Sequence, residues 1–354
     1  MTRKIVFVVG MHRSGTSLTM QALSAIGAKP GGAMIAGDDH NMKGYWEASD
    51  IVAFHDELLS QLGRGWGLPE HVIPVSPDWF ATGQALTSRS QVRALLEERL
   101  ATLSDDDVLA IKDPRMSLFL PLWIDAAKDL GVEPRVIICM RHPVAVANSL
   151  QKRDKTGEEI SMALWLTYSA SSLVNAQDVP VFMSQYNEWL DDNVNAMTRL
   201  GGFVGLDVSN VDDPFDDSMV NNVDEGEPSN ALVARWWHDL SSVSGGDAVP
   251  TKMVERARGI VENAELMSVL ATSIRSEVGD TATFAAKRDL EAYRTGFADL
   301  LEKHNALGEE RDTLAARAQE LLEAYQTSAA SREDLMRDYL KVPAVIRRLT
   351  RLRK

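Results

Sequence analysis

The chain has very little cysteine and no long hydrophobic run. Its single cysteine, Cys139, among 354 residues excludes an internal disulfide framework and suits a reducing compartment. No stretch approaches the ~18 consecutive apolar residues of a transmembrane helix. Too few residues precede the first apolar strand pattern for a secretory leader to be expected. These absences predict a cytoplasmic protein.

Positive charge is also scarce. The chain has 37 Lys and Arg against 51 Asp and Glu, a net charge of −14, which argues against general nucleic-acid binding. Residues 341–354 are an exception, with six basic and no acidic residues. Such a basic amphipathic tail is typical of contact with an anionic membrane or an acidic partner, but also of a solvated terminus. The sequence leaves both interpretations open.

A glycine-bounded loop, residues 10–15, follows the first apolar run at residues 5–9. An apolar-periodic helix is predicted after it, over residues 15–26. A strand that leads through a glycine loop into a helix is typical of phosphate binding. The glycines let the backbone approach the anion, and the unpaired N–H groups and the helix dipole favour negative charge.

The loop departs from an ATPase loop at one position. Gly10, Gly15 and Ser17 occupy Walker A positions, but Thr16 stands in the lysine place. Positive charge is supplied instead by Arg13, inside the loop. The pattern therefore predicts a phosphorylated nucleotide as ligand without an ordinary ATPase mechanism.

Apolar strands and helices alternate through the first 200 residues. Further strands are predicted at residues 108–111, 135–140 and 179–183. Helices are predicted at residues 48–62, 84–103, 117–130, 144–152, 158–177 and 187–200. This alternation predicts an α/β fold, a P-loop-like parallel sheet with helices on both faces.

Cationic residues follow three of the predicted strands. They are Arg13, Lys112, Arg115 and Arg141. Because ligands of such sheets bind beyond the carboxyl ends of the strands, these four side chains are predicted to converge on one crevice.

The composition changes near residue 275, which predicts an α/β domain over residues 1–275. Residues 285–340 lack proline and carry leucine every seven residues, at positions 300, 307, 314 and 321. This pattern predicts a long amphipathic helix with coiled-coil character, followed by the basic tail. The helix offers a route to a homo-oligomer or a protein partner.

Three motifs resemble those of sulfotransferases that use 3′-phosphoadenosine 5′-phosphosulfate (PAPS). Residues 10–18, Gly-Met-His-Arg-Ser-Gly-Thr-Ser-Leu, resemble the family's 5′-phosphosulfate loop. Residues 139–150 resemble its 3′-phosphate motif, with Arg141 and Ser149 in the phosphate-gripping positions. Residues 111–115, Ile-Lys-Asp-Pro-Arg, resemble the Lys-Asp-Pro motif of bacterial and Golgi-type members. The resemblance covers residues 1–205 well, residues 206–275 weakly and the C-terminal helix not at all.

The resemblance implies a PAPS donor, a PAP product and no metal requirement. It implies nucleotide binding by His12, Arg13, Ser14, Gly15, Thr16, Ser17, Arg141 and Ser149. Arg13 would meet the charge that develops on the leaving phosphate, and Lys112 would balance charge on the transferred sulfuryl group. Asp113 would orient Lys112 or Arg115 without touching the substrate.

The acceptor implied is a hydroxyl of a glycan or glycolipid, so a general base is required. Glu47 is the first choice, because its place after the first helix resembles that of the base glutamate in bacterial members. His40 and His55 are alternatives. His12 is predicted to orient the loop and not to act as a base.

Two departures from the family pattern are visible. Cytosolic small-molecule members carry lysine in the place of Arg13, which favours the carbohydrate branch, and their late glycine-rich nucleotide motif has no match here. Two rival functions remain: a kinase on the same fold, which would want a lysine at Thr16, and a non-catalytic nucleotide-binding scaffold.

Overall fold

The computed structural model describes residues 3–35, 44–65, 69–209, 211 and 226–262. The strands are β1 (Lys4–Val9), β2 (Lys29–Pro30), β3 (Val108–Lys112), β4 (Glu133–Met140) and β5 (Val181–Gln185). The helices are α1 (Thr16–Ala25), α2 (Ser49–Gln61), α3 (Gly83–Leu100), α4 (Met116–Asp129), α5 (Pro143–Asp154), α6 (Glu158–Asn175), α7 (Tyr186–Asp191), α8 (Asn193–Val204), α9 (Ala231–Ser241) and α10 (Thr251–Glu262).

The five strands form one parallel sheet in the order β2-β3-β1-β4-β5. Strand β1 lies between β3 and β4. The chain passes from β1 to the edge strand β2, returns to β3, and then crosses to β4 and β5 on the other side of β1. In a parallel sheet all carboxyl ends meet at one edge, and a crevice opens where the strand order reverses. The loops that follow β1, β3 and β4 therefore share one edge.

Both faces of the sheet are covered, as a parallel sheet requires. Ile5, Phe7 and Val9 of β1 pack on one face with residues of α2–α6, α9 and α10. Val6 and Val8 pack on the other face with residues of α1, α7 and α8. All five side chains are fully buried. The predicted α/β class, with helices on both faces of a parallel sheet, is confirmed.

Several boundaries differ from the predicted ones. The edge strand β2 was not predicted, because it is only two residues long and includes a proline. Strand β5 begins at Val181 and not at residue 179, since Pro180 has no N–H for the sheet. The helix predicted at 187–200 is two helices, because Asp192 caps the second by accepting from Asn195 N.

Two short 3₁₀ helices, Pro69–Val72 and Pro77–Ala81, lie between α2 and α3. In the part of the chain that the structure describes, no helix is both long and apolar enough to cross a bilayer. The predicted coiled-coil helix at 285–340 and the basic tail at 341–354 lie outside the described residues, and both stay predictions.

Candidate functional site

The loop after β1 passes close to the end of β4. Gly10 has φ +128°, and a Cβ there would lie 2.4 Å from the backbone oxygen of Cys139. Its N–H donates to Ser117 Oγ at 3.0 Å. Only glycine fits this crossing, because any side chain would meet backbone that cannot yield.

Gly10→Ala is therefore expected to lower the free energy of unfolding by about 3 kcal/mol or more, through strain and overpacking. Gly131→Ala is the matched control, since Gly131 also has positive φ but a Cβ there would have no neighbouring atom within 4 Å. Gly131→Ala should lower the free energy of unfolding by about 1 kcal/mol. Urea denaturation measures both, and equal losses would contradict the close crossing.

The loop ends at the amino terminus of α1. Gly15 has φ +92° and precedes Thr16, the first helical residue. Ser14 and Thr16 are buried, and Ser14 N donates to Met11 O at 3.1 Å. The first turn of α1 carries no acidic side chain. The loop and the helix follow β1 in the predicted order, and anion binding at the helix terminus stays a prediction.

Arg13 connects the loop to α5. It has a left-handed backbone, φ 68°, and its Nε donates to Ser149 Oγ at 2.8 Å. Its carbonyl accepts from Arg141 Nη1 at 3.3 Å. Arg141 is 4% exposed and lies over the ring of Tyr186, 4.2 Å from its centre. The predicted Arg141 and Ser149 pair is thus brought together with Arg13.

The surroundings of Arg13 are unfavourable to a lone positive charge. Burial, together with the nearby charge of Arg153, lowers the pKa of Arg13 from its ordinary value. An anion bound between Arg13, Arg141 and Ser149 would relieve this cost. The contact with Ser149 favours a binding role for Arg13, and its assistance to the leaving group stays a prediction.

A second set of polar groups lies at the end of β3. Lys112 Nζ donates to Glu47 Oε1 at 2.5 Å and to Tyr45 O at 2.9 Å. The Lys112 and Glu47 side chains are 3% and 9% exposed. Tyr45 O also accepts from Ser17 Oγ at 3.2 Å. The predicted charge-balancing lysine therefore contacts the predicted base directly, and it is linked to Ser17 of α1 through the Tyr45 carbonyl.

His55, an alternative base, is fully buried in a different network. Trp123 Nε1 donates to His55 Nε2 at 3.0 Å, so this nitrogen carries no proton and Nδ1 donates to Asp113 Oδ2 at 2.9 Å. The ring also stacks on Phe119. With both nitrogens engaged inside the core, His55 has no route to a substrate. His40 lies outside the described residues.

Arg115 is held between two carboxylates. It forms ion pairs with Asp56 at 2.7 Å and Asp113 at 3.2 Å. Burial opposes the charge of Asp113, but His55 and Arg115 outweigh it and hold the Asp113 pKa below its ordinary range. Asp113 thus orients Arg115, as one of the two expected partners. Arg13 and Arg141 are in contact, and the convergence of all four cations on one crevice stays a prediction.

His12 is 9% exposed and packs edge-on against Tyr168. Burial, reinforced by the charge of Arg115, lowers its pKa well below the ordinary value. The ring is therefore neutral at neutral pH, and its packing is that of a residue that orients the loop. Its predicted nucleotide contact stays a prediction.

His71 Nε2 is hydrogen-bonded to the Tyr168 hydroxyl at 2.7 Å. Burial, together with the charges of Arg115 and Arg64, lowers the pKa of His71 from 6.5 to about 4. Between these pH values the unfolded chain binds a proton that the folded chain does not. The free energy of unfolding should therefore rise with pH from about 4 to 6.5, by up to about 1.4 kcal/mol per pH unit.

His71→Gln keeps a polar partner for Tyr168 but does not titrate. Denaturation midpoints measured across this pH range should rise less steeply in the variant than in the native chain. The slope that remains is assigned to His12 and, near pH 4, to Asp113, whose pKa values are shifted in the same direction. An unchanged slope would contradict the role of His71.

Two participants were missed at the sequence level. Tyr186, directly after β5, contacts Arg141 and lies 2.9 Å from a Cβ placed on Gly15. The signal was its position, since a residue that follows a parallel strand lies at the ligand edge. The Tyr45 carbonyl has no sequence signal, because any residue supplies one. Within the described residues, no group of three or more His, Cys, Asp or Glu is arranged to hold a metal.

Comparisons with known proteins give structural likenesses alone. No family model matches the chain, and no curated protein matches it. The sulfotransferase domain of the Synechococcus PCC 7002 olefin synthase is 16% identical, with 74% of this chain and 97% of that one covered and a TM-score of 0.36. A sulfotransferase from Alicyclobacillus acidocaldarius is 14% identical, with 76% and 97% covered and a TM-score of 0.36.

Sulfotransferase STF1 from Mycobacterium tuberculosis H37Rv is 14% identical, with 74% of this chain and 77% of that one covered and a TM-score of 0.37. All three TM-scores are below 0.5, which describes a partial likeness alone. All three structures are described as sulfotransferases or sulfotransferase domains, the family that the motifs of this chain resemble.

Proposed function

We propose that the chain transfers a sulfuryl group from PAPS to a hydroxyl of a glycan or glycolipid. The observation that carries this proposal is the presence of two sets of hydrogen-bond donors, one around the loop and one at the amino terminus of α1. Arg13, Arg141 and Ser149 form the first set. Ser17 and Lys112, which contact the same carbonyl oxygen, form the second with the loop amides.

A nucleotide with anionic groups at both ends of its adenosine suits this arrangement. The first set would hold the 3′-phosphate, for which the planar guanidinium of Arg141 is well shaped. The loop and the amino terminus of α1 would hold the 5′-phosphosulfate. An ordinary kinase site would have a lysine in the place of Thr16, and this loop has none.

In the proposed reaction the acceptor oxygen forms a bond to sulfur as the bond from sulfur to the bridging phosphate oxygen breaks. Glu47 accepts the hydroxyl proton, and PAP leaves with the bridging electron pair. Lys112 offsets negative charge on the sulfuryl and bridging oxygens. The contact between Glu47 and Lys112 supports this division of roles, because both side chains are then within reach of one reacting group.

The glycan or glycolipid class follows from the resemblance of the loop, with Arg13 inside it, to the carbohydrate branch. The predicted coiled-coil helix and basic tail would bring the protein to a partner, to a second copy of the chain or to an anionic membrane on the cytoplasmic side.

A transfer assay with ³⁵S-labelled PAPS tests the function. Glycan, glycolipid and peptide fractions of the source organism serve as acceptors, and label in a glycan or glycolipid is expected, with one PAP formed per label. Label in peptides alone would contradict the acceptor class. Transfer of phosphate from labelled ATP, with none of sulfate from PAPS, would favour the kinase.

A further inference from the structure

The backbone oxygen of Tyr45 accepts hydrogen bonds from two side chains. Tyr45 O accepts from Ser17 Oγ at 3.2 Å and from Lys112 Nζ at 2.9 Å. Ser17 lies in the first turn of α1 and Lys112 ends β3, so the two donors come from different parts of the sheet edge. An anionic oxygen of a bound 5′-phosphate would draw on the same two donors.

The backbone around Tyr45 is strained. Trp46 has φ 58°, a left-handed conformation that costs free energy in any residue with a Cβ, and Gly44 has φ 87°. Such a conformation persists only where surrounding contacts hold it. The two hydrogen bonds to Tyr45 O are contacts of this kind.

The chain is anchored directly after this turn. Glu47 O accepts from Ile35 N at 2.8 Å, and Ala48 forms an antiparallel bridge with Met34. The Glu47 backbone is therefore fixed to a neighbouring segment. Its carboxylate is paired with Lys112, the same lysine that binds Tyr45 O.

We propose that residues 44–46 form a positioning turn ahead of Glu47, and that the 5′-phosphate of the nucleotide displaces this turn. The proposal rests on the proposed function, since it needs a nucleotide with a 5′ anion. Ser17 and Lys112 exchange a neutral carbonyl for an anionic oxygen, which is the stronger acceptor.

The exchange has a consequence for the base. As Lys112 turns to the anion, Glu47 loses its cationic partner. A carboxylate without an adjacent ammonium accepts a proton more readily than a paired one. Nucleotide binding therefore prepares the base, and the donor binds before the acceptor is activated.

Thiol labelling of Tyr45→Cys, with and without PAP, reports on the turn directly. The native Cys139 is 1% exposed, and burial raises its pKa to about 12, so it stays silent. PAP is expected to raise the labelling rate of the new thiol severalfold. Val194→Cys, at a site on α8 that is 69% exposed, is the control, and its labelling rate should be the same with and without PAP.

A pair of variants reports on the strain. Trp46→Ala and Trp46→Gly both lack the indole, but only glycine accepts φ 58° without cost. Glycine therefore stabilises the undisplaced turn, and PAP should bind it about 5-fold more weakly than it binds the alanine variant. Calorimetry measures the ratio.

The outcomes separate the two proposals. If PAP binds the native chain but leaves labelling unchanged or slower, and the two Trp46 variants bind PAP equally, the positioning turn is overturned and the proposed function stands. If PAP does not bind the native chain, the proposed function fails and the displacement of the turn fails with it.

Discussion

Glu47→Gln is expected to lower the turnover number for sulfuryl transfer by about 10²–10⁴-fold, the usual contribution of a general base. Glutamine has the size of glutamate and still contacts Lys112, but it cannot take the hydroxyl proton. PAP affinity should not fall below that of the native chain, because the loop, Lys112, Arg141 and Ser149, which are proposed to hold the nucleotide, are unchanged. Steady-state assays with labelled PAPS and calorimetry with PAP measure the two quantities.

The matched control is Glu57→Gln, which makes the same change at a solvent-exposed site on α2. It should leave turnover unchanged. Glu47→Gln also leaves Lys112 buried beside a neutral partner, which is expected to lower the stability of the free protein. Because a bound phosphate would pair with Lys112, PAP should restore part of that loss in thermal unfolding. Normal turnover in Glu47→Gln would eliminate Glu47 as the base.

Arg141→Ala is expected to weaken PAP binding by about 10²-fold or more. Arg141 is 4% exposed, and truncating one side of a buried charged contact costs about 2–5 kcal/mol. The loss should be much smaller for adenosine 5′-phosphate, which has no 3′-phosphate. Calorimetric titration of both nucleotides therefore separates the loss of a specific contact from general damage to the fold.

Arg93→Ala is the control for charge alone, since Arg93 is an exposed arginine of α3 that pairs with Glu97. It should leave both affinities unchanged. Arg141→Lys should recover little of the PAP affinity that Arg141→Ala loses, because an ammonium lacks the planar pair of donors that binds a phosphate. If Arg141→Ala binds PAP as the native chain does, the assignment of the 3′-phosphate set is wrong.

The sequence predicted the sheet well because its signals are local. Buried strands such as β1 and β4 are short apolar runs, and their order of alternation with helices fixes a parallel arrangement. Where tertiary context decides, the prediction was less accurate. Strand β2 exists only because Gly31 and the adjoining residues pair with β3. The break between α7 and α8 depends on a single cap at Asp192.

The site was predictable where residue type and strand position agree, as for Lys112 and Arg141. The direction in which a side chain points could not be predicted from the sequence. Arg115 follows a strand as Lys112 does, yet its guanidinium forms an ion pair with Asp56 on α2. His55 looked chemically able to act as a base, but Trp123 and Asp113 occupy both of its nitrogens. Such contacts join residues more than 50 positions apart in the sequence, and no local sequence pattern predicts them.

Competitive calorimetry of PAP against ATP tests the central claim, that two anion sets hold a nucleotide with phosphates at both ends of its adenosine. PAP should bind more tightly than ATP and should displace it, because only PAP has a 3′-phosphate for Arg141, Arg13 and Ser149. Tighter binding of ATP, or equal binding of the two, would contradict the claim.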